Sequence, residues 1–102
     1  MNVVTERNFD QVYPRKIRDV FWEKVERALE EIFGKPRSLA ASHRADVETA
    51  PRSEQILVYH QEPIELAADL AGVAEISSEQ QSKYLEICEG TEPPRPGWPD
   101  KP

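Results

Sequence analysis

Residues 13 to 34 read YPRKIRDVFWEKVERALEEIFG and place apolar side chains at Ile17, Val20, Phe21, Val25, Ala28, Leu29, Ile32 and Phe33. Steps of three and four residues gather these on one side of a helix, in a stripe wide enough to face a core. A chain that carries such a seam must lay other elements over it, which excludes most architectures at once. Pro14 suits the first helical turn, where its missing N–H is no loss. Gly34 suits a left-handed cap, and Pro36 prevents continuation. The expected element is one long amphipathic helix over residues 15–33. On its wet side Glu23 and Arg27 stand four apart in the favourable order.

What covers the seam is a series of shorter helices. SLAASHRADVETA, from Ser38 as N-cap to Pro51, turns Leu39, His43, Val47 and Ala50 inward. A third helix starts near Ser53 and covers EQILVYH. Ile56, Leu57, Val58 and Tyr59 surround its axis, so burial on several sides is expected. Periodicity alone does not separate this run from a strand. The only partner strand available is NVVTE at the start, which makes a helix the expectation. Pro63 pushes Glu62 out of helical geometry and opens PIELAADLA, which stops at Gly72. SSEQQSKYLEIC then offers two capping-box spacings, Ser77 with Gln80 and Ser78 with Gln81. Tyr84, Leu85 and Cys88 form its buried side. The first dozen residues lack a period and read as an extended lead-in.

The predicted fold is all-α: a compact bundle of four to five short helices around the long one, in a single domain over residues 1–89. Residues 90–102, GTEPPRPGWPDKP, are too rich in proline to bury much and read as a disordered, flexible tail carrying Trp98. A chain of 102 residues suits one domain. The single cysteine, Cys88, rules out an internal disulfide framework and fits a reducing cytosol. MNVVTERNFD lacks the apolar region of a signal peptide, and no apolar run reaches the ~20 residues of a membrane span. The expectation is a cytoplasmic protein with no membrane association.

The net charge of −6 is unevenly split. Residues 1–44 carry nine Lys/Arg against seven Asp/Glu, and residues 45–102 carry four against twelve. An overall acidic chain is poorly suited to nucleic acid, whose phosphates demand a basic face. ELAADLAGVAEISSEQQSKYLEI has the outline of a helix-turn-helix, with Gln80 and Gln81 as base readers. Its VAEIS link is too long, however, and Glu79 and Glu86 outweigh Lys83.

Several constellations bear on chemistry. His60 falls in the last turn before Pro63, where an imidazole suits the helix C-terminus. With Glu62, Glu65 and Asp69 it also forms a candidate site for a divalent cation, although the spacing matches neither a zinc helix nor a calcium loop. His43 is placed to meet His60 if their helices pack antiparallel. Cys88 lies among Glu86 and Glu89, which raise a thiol pKa, and reads as a core residue. No nucleophile elbow or Gly-rich phosphate loop is present, so neither catalysis nor a cofactor is expected. Arg15, Lys16 and Arg18 sit in the first turn of the long helix, against its dipole, and need an acidic partner. The acidic fourth helix of the same chain is the first choice and an external surface the second. Trp22 lies at the edge of the stripe, sealing the core rim or anchoring a partner. The resulting expectation is a non-enzymatic interaction or regulatory module, binding a protein or itself through Trp22, Arg15 and Arg18. The alternatives are an acidic divalent-cation binder and a small DNA-binding regulator.

Overall fold

The computed structural model describes residues 7–91, and among them every regular element is a helix. The seam becomes α2 (Arg15–Arg27), which continues through a π-helical turn over Ala28–Ile32. Around it lie α1 (Phe9–Val12), α3 (Ser38–Glu48), α4 (Arg52–His60), α5 (Pro63–Ala71) and α6 (Ser78–Thr91). α2 packs directly against α3, α5 and α6, and α3 in turn packs on α4 and α5. The bundle around one long amphipathic helix is therefore what the stripe specifies. The proline-rich stretch beyond Thr91, with Trp98, and the NVVTE segment lie outside the described residues.

Local signals operate where they were expected. Gly34 and Gly72 take left-handed φ values of 66° and 76°. After α5, the Val73 N–H donates to Ala68 O at 2.8 Å and the Gly72 N–H to Asp69 O at 3.2 Å, the paired bonds of a Schellman stop. Glu62 is extended, and Pro63 opens α5. At the start of α6 the capping box closes in both directions: the Ser77 N–H donates to Gln80 Oε1 at 2.8 Å, and the Gln80 N–H to Ser77 Oγ at 3.1 Å. Ser78 is the first helical residue instead of the cap.

The differences lie where tertiary packing outranks the pattern. The lead-in is not wholly extended, because Phe9–Val12 make one turn of helix and Phe9 is fully buried. One aromatic anchor suffices to hold four residues, too few to show a period. The seam changes pitch at Ala28, where the Phe33 N–H reaches back five residues to Ala28 O at 3.1 Å. Ala28 and Leu29 are both fully buried at this wider turn. Ile17, at the other end, is 40% exposed. Arg27 hydrogen-bonds Glu31 one turn ahead at 2.8 Å.

On the covering helices some faces are rotated from expectation. α3 begins after Arg37 with no side-chain cap, so Ser38 is not its N-cap. Ala40 and Val47 point inward, while Leu39 remains exposed. α4 starts at Arg52, and Leu57 stands 71% exposed although its neighbours Ile56 and Tyr59 are buried. α4 is covered from one side only, not several. On α6, Tyr84 and Ile87 are the buried pair, Cys88 is half-buried and Leu85 is 61% exposed.

Trp22 is the largest displacement from expectation. It is not a rim or surface residue but lies 1% exposed at the centre of an aromatic group. Its Nε1–H donates to Tyr59 Oη at 3.0 Å. Phe21 and Tyr59 meet its ring edge-on, with centroids at 5.3 and 6.3 Å, and His43 lies at 6.0 Å. α3 and α4 close over the side of α2 that a helical wheel leaves at the stripe's edge. A ring so enclosed has no surface to offer a partner, which corrects its assignment to an interface.

Candidate functional site

Two helices of the bundle begin with the same dipeptide. Pro14-Arg15 opens α2 and Pro51-Arg52 opens α4. Proline has no side-chain acceptor, and neither helix start receives a side-chain cap. Each therefore presents uncapped first-turn N–H groups and the positive end of its dipole. Both starts line one cleft of about 480 Å³, α2 through Arg15, Arg18 and Asp19, and α4 through Arg52 and Gln55. The C-terminal half of α3 completes the wall with Arg44 and Glu48. Four arginines from three helices thus face two carboxylates.

The two carboxylates are already engaged. Arg44 donates through Nη2 to Asp19 Oδ1 at 2.6 Å and through Nε to Glu48 Oε2 at 2.8 Å, tying α3 to α2. The Arg44 hydrogen bond, helped by the nearby charges of Arg44, Arg15 and Arg18, holds the Asp19 carboxyl below its usual range. Arg15 lies 4.0 Å from the other Asp19 oxygen, and its side chain is 87% exposed. Arg52 donates to Asp10 Oδ1 at 2.5 Å, an exposed contact.

Arg18 is the exception. Its Nε is buried and has no hydrogen-bond partner. Its guanidinium lies 5.6 Å from the centroid of Phe9, and that of Arg52 lies 5.0 Å from the same ring. The buried ring of α1 thus attracts two cations of the cleft through its negative face, an interaction of about 0.5–1 kcal/mol each at exposed sites. The acidic α5 was the expected partner of this basic turn, but the carboxylate that Arg15 meets is the turn's own Asp19.

Of the expected interface residues, Arg15 and Arg18 meet at this cleft and Trp22 does not. Arg44, Arg52 and Phe9 were missed by sequence reasoning. The repeated Pro-Arg step was the available signal for two of the helix starts. A third such step, Pro36-Arg37, precedes α3, but Arg37 bonds Glu30 at 3.0 Å away from the cleft.

The expected cation site does not assemble. Among the described residues no three His, Cys, Asp or Glu side chains converge as a metal-holding group. His60 is exposed at the end of α4, edge-on to Tyr13 at 6.4 Å. Extended Gln61 and Glu62 separate it from Glu65 and Asp69, which stand exposed on α5. Glu62 instead accepts from Tyr84 Oη at 3.4 Å. Burial, with Cys88 and Glu62 alongside, pushes the Tyr84 phenol upward. His43 packs on Trp22 and His60 on Tyr13, so they share no site.

The helix-turn-helix outline also loses a reader, because Gln80 is committed to its capping box. Six residues, 72–77, join α5 to α6. Among the described residues no helix is long and apolar enough to cross a membrane. Comparison with known proteins finds no matching family model, no matching curated protein and no matching solved structure.

Proposed function

We propose that this protein is a non-enzymatic, cytoplasmic interaction module that grips an anionic group of a protein partner in the arginine cleft. The observation that carries the reading is the convergence of Arg15, Arg18, Arg44 and Arg52 from three helices, within a chain whose net charge is −6. Gathering like charges at two helix starts costs stability, and exposed ion pairs return only about 0.2–1 kcal/mol each. The cluster is therefore better explained by what it binds than by what it holds together. Asp19 and Glu48 are occupied by Arg44, which leaves the cleft donors in excess and no idle base. The half-buried free thiol of Cys88 supports a reducing compartment.

The test is capture from native lysate with the wild-type protein and with Arg15→Glu/Arg18→Glu, both checked for helicity. Binding of a distinct partner that fails with the double variant, and weakens as salt rises, is the expected result. The same proteins retained by both forms would remove the cleft as the binding surface.

A further inference from the structure

Resting on the cleft as the binding surface, we propose that the group it takes is a phosphate monoester borne by a protein partner. A carboxylate is planar and is satisfied by one guanidinium fork. The cleft already contains that arrangement internally, in Arg44 with Asp19 and Glu48. Around it stand Arg15, Arg18 and Arg52, projecting from two separate helices, with Arg15 and Arg52 held only by exposed contacts to Asp19 and Asp10. Donors that approach along different axes suit the three oxygens of a phosphate, and several cations suit a charge near −2.

Arg18 also lines the cleft, although its Nε is buried there without an acceptor. The uncapped starts of α2 and α4 add dipolar attraction for an anion at the same place. Everything lining the cleft is Arg, Asp, Glu or Gln. A nucleobase would find no aromatic face to stack on there. The acidic remainder of the chain repels polyanions and acidic lipid surfaces, but one phosphate on an otherwise neutral peptide escapes that penalty.

The test uses the full chain and three twin peptides of Gly, Ala and Ser residues, with a central phosphoserine, glutamate or serine, followed by calorimetry or NMR. The phosphopeptide binds at least about tenfold more tightly than either twin, the loss expected when glutamate makes fewer charge-assisted bonds and serine makes none. Arg18→Gln and Arg15→Gln each weaken it, while Arg37→Gln, outside the cleft, leaves it unchanged. Equal binding of the three peptides, or none at all, overturns the proposal. So does tighter binding of adenosine monophosphate than of the phosphopeptide. If the phosphate preference fails while lysate capture still depends on Arg15 and Arg18, the cleft remains an anion site for carboxylates. If both fail, the cleft itself is excluded.

Discussion

The buried Nε of Arg18 and the buried Nε1 of Trp22 present opposite cases of the same accounting. Trp22 has its acceptor in Tyr59, whereas Arg18 Nε has none. Tyr59→Phe removes that acceptor and leaves a buried donor unmatched, so it should cost about 1–3 kcal/mol in urea unfolding. Arg18→Met removes an unmatched donor, a gain of about 1–3 kcal/mol, against a lost cation–π contact of about 0.5–1 kcal/mol. The variant should therefore melt at or above the wild-type temperature while losing anion binding. A marked drop in melting temperature would show that Arg18 serves the fold and would detach it from the site. Trp22 was misread because residue spacing locates a side chain on a helix face but says nothing of which helix will cover it.

Among the elements, stops and starts were readable because their causes are local. Gly72 illustrates this: a Cβ there would meet nothing within 4 Å, so only its φ of 76° opposes substitution. Gly72→Ala should cost about 1–2 kcal/mol by chemical denaturation, the left-handed penalty for an L-residue, with no change in the core. A neutral result would mean that the turn between α5 and α6 relaxes freely. Leu57 and Leu85 show the reverse situation. Both are apolar residues beside truly buried neighbours, and their exposure depends on how many sides of α4 and α6 are covered. The π turn at Ala28–Ile32 also left no trace in the pattern, since its residues are ordinary helix formers.

At the scale of the whole molecule, the seam of α2 organises the fold and its first turn organises the cleft. Arg15 and Arg18 were legible as a basic turn in need of a partner. Their companions were not, because Arg44 and Arg52 come from helices whose docking on α2 is fixed only by the assembled core. The same core seats Phe9 beneath two of the guanidiniums. Such a site is written in tertiary contacts instead of a motif, and only the repeated Pro-Arg step hints at it.

The most direct measurement is an NMR titration of arginine Nε–Hε signals with inorganic phosphate, using sodium chloride at matched ionic strength as reference. An anion-binding cleft predicts saturable shifts at Arg15, Arg18 and Arg52, with Arg27 and Arg37, which lie outside it, unmoved. Uniform shifts across all the arginines, or shifts that chloride reproduces, would contradict it.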